Sequence, residues 1–419
     1  MRPRSLPWLA VPLVLFLLVS LVTPSAVLAQ EAEPAASEPL FFGWETEPAM
    51  DYGGRTVVSL HTAASRGFGR LFRVERRPGV APAWEFPLAA FFLLVQHEVD
   101  GHGARAREFD LAPSYGINWD FSAATGIARA PRTNEENALL AAGGTEADTV
   151  LAHRILLDSL RPEGTDGARL PLLLLTKLDL TRYISGTPDP EPGNDFVEQF
   201  EDGNDIAIYL VSRQAQRVGA DPADVWERRY AVDFADPLLE DTWDDARLTA
   251  LWNLLDPALV SAMVAYFRDH VLDGAPRVRT PALRSGNGLA FQIGTRGALG
   301  PQEVSRFLDL HTLTRWGIVT VYVRDLDASV DRTYGFGAGI HGLRWRNLHL
   351  GLTADTWEEP EAAERLYDGT GWNVTGEVET LIGPRWGLSA KLGAKSDGFF
   401  PGRPREEGVY GGLGLLVVW

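Results

Sequence analysis

The chain contains no cysteine. Disulfides, thiolate metal sites and a lipid-modified cysteine are therefore excluded. Any metal must be held by His, Asp or Glu. Positive charge is also scarce: 39 Lys and Arg stand against 56 Asp and Glu, a net charge of −17. Nucleic acid as a partner is argued against, because phosphate contacts need clustered cations. Beyond the N-terminus, no segment reads as the ~20 apolar residues that a membrane-spanning helix needs. What is present is the composition of folded protein, 45% hydrophobic and 23% charged. The length of 419 residues exceeds one average domain, so two domains are expected.

The one long apolar run lies at the start. Arg2 and Arg4 precede "LAVPLVLFLLVSLV", and Val27 and Ala29 precede Gln30. This is the layout of a secretory leader over residues 1–29, cleaved after Ala29. An uncleaved anchor is the alternative. The mature chain is expected outside a bacterial cytoplasm.

Two periods follow. From about Pro82 to Gly274 the pattern is mainly helical. "PLAAFFLLVQHEVDGHGARARE" places Pro87 near a helix start. "NEENALLAAGGTEADTVLAHRILLDSL" reads as helix, a Gly-Gly interruption, then helix. Upstream, "RTVVSLHT" reads as a strand. Residues 30–280 thus form one mostly helical domain.

After about Leu283 the period becomes two. "GIVTVYVR" sets Val319, Val321 and Val323 on one face. "TYGFGAGIHG" sets Tyr334, Phe336, Ala338 and Ile340 against glycines. Leu289, Phe291 and Ile293 share a face in "GLAFQIGTR". With "QEVSRFLDLHTL", "NLHLGLTAD", "GWNVTGEVETLI", "RWGLSAKLGAK" and "GVYGGLGLLVVW", eight strands are expected over 284–419. Their length of about ten residues suits a tilted membrane strand. Trp316, Trp345, Trp372, Trp386 and Trp419 sit near strand ends, as an interfacial belt requires. Short and longer connections alternate, as in outer-membrane barrels. Arg296, Asp309, Glu377, Glu379, Lys391 and Lys395 would point inward, where they can pair. The expected fold class is α+β multidomain, a helical domain followed by an antiparallel eight-stranded membrane barrel. A soluble β-sandwich is the alternative. The end of the chain, with apolar residues at every second position before a final aromatic, resembles the terminal strand of bacterial outer-membrane proteins. That resemblance implies outer-membrane lipid and the barrel-insertion machinery as partners, with the helical domain facing the periplasm.

The stretch with chemistry in it is "HEVDGH". Positions four apart on an α-helix differ by about 40° around the axis, and positions five apart by about 140°. His97 and His102 therefore face one point only if the helix carries a π-bulge, a feature common at functional sites. Gly101 is where such a bulge forms most easily.

"HEVDGH" resembles the H-E-x-x-G-H motif of dipeptidyl peptidase III, a zinc metallopeptidase. The resemblance covers two short motifs. It implies related site chemistry, not the same fold or a dipeptidase activity: Zn2+ as cofactor, His97 and His102 as ligands and Glu98 as general base, in a helical domain read as zincin-like. That family's second motif, E-E-x-x-A-[DE], supplies a third ligand. "GGTEADTVLAHRI" matches it in part, with Thr145 where the first Glu stands, and implies Glu146 as that ligand. Asp148 would orient a zinc-bound His. His153, on roughly the helix face of Glu146, is a candidate for oxyanion stabilisation, as are Tyr115, Arg105 and Tyr183. The expected activity is hydrolysis of a peptide or protein substrate at the outer membrane. Two other readings stay open: an envelope protein with a structural metal, and a soluble periplasmic protease.

Overall fold

The period-two segments form strands where they are expected. In the computed structural model they are β7 (Ala290–Leu299), β8 (Val304–Leu313), β9 (Ile318–Asp327), β10 (Arg332–Trp345), β11 (Leu348–Glu358), β12 (Thr370–Leu381), β13 (Trp386–Lys395) and β14 (Gly408–Val417). The structure describes residues 39–72, 78–118, 122–285, 290–314, 316–328, 331–360 and 369–418. The leader, Leu289 and Trp419 lie outside them.

The sheet has ten strands, not eight, and it does not close as a barrel. β6 (Leu283–Arg284) pairs with β7, and β1 (Leu40–Glu45) pairs with β14. β1 is one edge; β6 covers only Ala290 and Phe291, so the rest of β7 forms most of the other. The expectation of a closed eight-stranded barrel is thereby corrected, and the reason lies at the edges. On β1, Phe41 N donates to Ser59 Oγ at 2.7 Å and Gly43 N to Thr56 Oγ1 at 3.2 Å. On β7, Gly297 N donates to Asn253 Oδ1 at 2.6 Å, and Gly297 O accepts from Thr149 Oγ1 at 3.0 Å. Thr295 O accepts from the Lys177 ammonium. Backbone groups satisfied by side chains are not available to another strand.

Those side chains come from helices. α1 (Met50–Leu71) lies along β1. It includes "RTVVSLHT", which reads locally as a strand. Burial of Val57, Val58, His61 and Thr62 at helical spacing overrides the β-branched local preference. α2 (Pro82–Val95) continues through a π-helical segment, π1 (Gln96–His102), into α3 (Gly103–Glu108). A small hairpin follows, β2 (Pro113–Ile117) with β3 (Ala123–Ile127). α4 (Asn134–Leu160) starts at Thr133, whose side chain accepts from Glu136 N. α4 runs unbroken through Gly143 and Gly144, so the expected interruption is absent. The glycines serve packing instead. A Cβ on Gly101 would meet Gly144 Cα at 2.6 Å, and one on Gly144 would overlap the His97 ring. Small residues at this crossing let π1 lie directly on α4.

The remaining helices are α5 (Arg169–Gly186), α6 (Phe196–Asp202), α7 (Asp205–Val218), α8 (Pro222–Trp226), α9 (Pro237–Leu254) and α10 (Pro257–Ala265). α10 runs into a second π-helical segment, π2 (Tyr266–Leu272). Two stretches, Pro78–Glu108 and Pro237–Leu272, are long and apolar enough to cross a membrane by length and composition. The sequence reading missed them because each runs on through a π segment.

One face of the sheet is covered by helices. Leu313 and Ile318 share a core with Leu156 of α4 and Leu172 of α5. Leu299 and Val304 share another with Tyr209 of α7 and Trp243 of α9. Residues 37–419 accordingly form one compact unit. The six expected inward charges are buried or nearly so. Only Arg296 and Asp309 pair with each other, at 3.0 Å. Glu377 and Glu379 bind Arg55 of α1, Glu377 also binds Arg154 of α4 at 3.1 Å, and Lys391 binds Glu45 and Asp51. Lys395 donates to backbone carbonyls. The opposite face is apolar and exposed: Val321, Phe336, Leu352, Leu392, Val409 and Leu413 all stand on it.

Candidate metal centre

The bulge required by the five-residue spacing is present. Residues 96–102 are π-helical, and the wider turn brings His97 and His102 to one side. Their Nε2 atoms lie 3.0 Å apart. Each Nδ1 is already engaged. His97 Nδ1 is 3.0 Å from Asp148 Oδ2 and 3.0 Å from Asp179 Oδ2. His102 Nδ1 is 2.6 Å from Leu140 O. With acceptors holding both Nδ1 positions, the proton belongs there, and both Nε2 lone pairs face one point.

A third donor joins them. Asp205 Oδ2, at the start of α7, lies 3.4 Å from His97 Nε2 and 3.3 Å from His102 Nε2. A tetrahedral ion with ligands at about 2.0–2.1 Å separates them by about 3.3 Å. The spacing of these three atoms therefore fits zinc. Charge points the same way. Three buried or nearly buried carboxylates, Asp148, Asp179 and Asp205, surround two imidazoles. Such a group requires positive charge at its centre. Burial disfavours the imidazolium of His97, but Tyr183, Asp179 and Asp148 outweigh it and hold its pKa well above the ordinary value. Burial likewise opposes the raised pKa of His102, and Asp205 overrides it. Burial would raise the pKa of Asp205, but His102 and His97 hold it below the usual carboxylate range. Asp148 is pushed up by burial and by Asp179.

The other residues fall as follows. Glu98 is buried, and its Oε2 accepts from Thr125 Oγ1 of β3 at 2.7 Å. Tyr183 OH is 3.1 Å from His97 Nε2, with its ring stacked on the imidazole. Among the oxyanion candidates it is the one at the centre. Tyr115 OH accepts from Arg107 at 2.5 Å, and Arg105 is paired with Glu108 and Glu146. Glu146 is not among the clustered donors, which corrects its expected role as third ligand. Its carboxylate takes Arg105 Nε at 2.9 Å, Arg105 Nη2 at 2.5 Å and Gly402 N at 2.7 Å. Residues two apart on a helix point about 200° apart. With Asp148 turned to His97, Glu146 must face away. His153 shares that other face. Its ring packs 5.9 Å from His311 of β8, so it is not at the centre either.

Asp205 and Asp179 are the donors that sequence reasoning missed. Asp205 follows Asn204, whose side chain caps α7, so it reads as an ordinary first-turn acid. Asp179 did leave a signal: an acid within the apolar run "LPLLLLTKLDL", four residues before Tyr183.

No family profile, curated protein or solved structure matches the chain.

Proposed function

We propose that the chain is a zinc-dependent peptidase anchored in the bacterial outer membrane, with His97, His102 and Asp205 as metal ligands. The observation that carries this reading is the convergence of two Nε2 atoms and one carboxylate oxygen within 3.4 Å of one another. A zinc ion held there supplies Lewis acidity, lowering the pKa of water and polarising a carbonyl. Glu98 takes the proton of the attacking water and delivers it to the leaving amine. Thr125 holds that carboxylate in place. Tyr183 donates its hydroxyl to the developing oxyanion. Asp148 and Asp179 fix the His97 tautomer and ring plane.

Support for the membrane anchor comes from the face of the sheet turned away from the helices. Its side chains are apolar, and Trp316, Trp345 and Trp386 are exposed at one rim. At both sides of the sheet, helix side chains accept from backbone amides, at Phe41 and Gly43 of β1 and Gly297 of β7, as a lipid-facing wall demands.

The test is metal content and hydrolysis of a mixed peptide library, measured together. Zinc near one per chain in wild type and Glu98→Gln, its loss in Asp205→Ala, and cleavage by wild type alone would support the reading. A wild type that takes up no zinc would overturn it. Tyr183, so close to His97, favours one other reading, a closed structural site with Tyr183 as fourth ligand. In that case zinc binds and no variant, nor the wild type, cleaves.

A further inference from the structure

The two ends of the sheet differ. At one end, strands are joined by the turns 314–317, 346–347 and 382–385. At the other, the connections include the two longest, 359–369 and 396–407. α4 serves as a ruler between them. Past its C-terminus, Glu163 binds Arg344 at 2.7 Å, beside the 346–347 turn. Near its middle, Glu146 accepts from Gly402 N at 2.7 Å, within the 396–407 connection. Asp148, two residues on, holds His97. The rise from Asp148 to Arg161 along the helix is about 20 Å.

The elements that carry the candidate ligands are tied to the same end. In α3, directly after His102, Glu108 accepts from Arg405 N at 2.6 Å and Arg105 donates to Arg403 O at 3.3 Å. In α7, one turn after Asp205, Tyr209 donates to Gly300 O at 2.9 Å and Arg213 to Gln302 O at 2.5 Å. The β2–β3 hairpin, which touches Glu98, exposes Tyr115 and Ile117. The metal centre thus stands level with the long-loop rim, about 20 Å from the turns.

Outer-membrane strands have short turns on the periplasmic side and longer loops outside. From this we infer that the metal centre opens to the cell exterior, so that its substrates are peptides or proteins of the outer medium. The inference rests on the membrane reading above. It departs from the expected periplasm-facing domain, which assumed helices hung below a barrel. The helices instead cover one face of the sheet and reach its loop rim.

A chain without cysteine makes the test direct. Single replacements would be Glu406→Cys in the 396–407 connection, Ser114→Cys in the hairpin, and Asn347→Cys at the turn end. All three positions are exposed. Each is treated with a membrane-impermeant maleimide in intact and in permeabilised cells, with outer membranes isolated from the same cultures. The expected result is labelling of Glu406→Cys and Ser114→Cys in intact cells, at least ten times that of Asn347→Cys. Asn347→Cys should label only after permeabilisation. Labelling in intact cells of Asn347→Cys alone, or of none of the three, overturns the inference if the protein is in outer membranes. Absence from outer membranes overturns the membrane reading itself, and the inference with it.

Discussion

Among the described residues two segments are π-helical, and each carries a histidine against a buried carboxylate. In π2, His270 Nε2 is 2.9 Å from Glu85 Oε1 and its Nδ1 is 2.8 Å from Ala275 O. Tyr266 donates to Glu85 Oε2 at 2.8 Å. Every polar atom of that trio has a protein partner. In π1 the Nδ1 atoms are partnered, and the two Nε2 atoms face each other, the Asp205 carboxylate and, for His97, the Tyr183 hydroxyl. A bulge therefore supplies only geometry. What marks π1 as a site is the convergence of two imidazole nitrogens and a carboxylate oxygen on one point.

The comparison breaks first at the ligands. His102→Ala or Asp205→Ala should lower bound zinc from about one per chain to a small fraction, since a catalytic site needs three protein ligands. Hydrolysis should fall by more than about 10³-fold. Metal analysis beside a peptide assay reads both, and retained zinc in either variant would erase the distinction between the two segments. Next in size is Glu98→Gln, which should keep its zinc and lose about 10²- to 10⁴-fold in turnover. Equal loss of metal in this variant would make Glu98 a ligand instead of a base. Asp148→Asn should weaken zinc affinity by about 10- to 100-fold, read by competition with a chelator. Smallest is the control in the other segment. Glu85→Gln should leave zinc and turnover unchanged and cost about 1–3 kcal/mol of stability, read from denaturation midpoints. A loss of zinc there would mean that the segments are coupled.

The period-two strands were legible because sidedness is local: Val319, Val321 and Val323 announce an outer face whatever covers the inner one. The π-bulge was legible because "HEVDGH" has one residue too many for an α-helical site. The third clustered donor was not, because Asp205 reaches the histidines only through the packing of α7 on α4. Its neighbours spell a helix start and nothing more. β1 was equally hidden, since "LFFGWE" becomes a strand only when β14 is beside it. The Gly143–Gly144 pair was misread as a break because its reason, the ring of His97, lies on another helix.

That β1–β14 pairing has a kinetic consequence. Thr46 N donates to Gly411 O, and the two residues are 365 positions apart in the chain. Contacts between such remote positions form late, because loop-closure entropy must be met before they stabilise anything. Gly402, which holds Glu146 and through it the α3–α4 packing beside His102, belongs to the same late-arriving hairpin. Assembly of the cluster of His97, His102 and Asp205 is thus coupled to a late step of folding. A chain that has not yet paired β1 with β14 has not completed the packing beside His102.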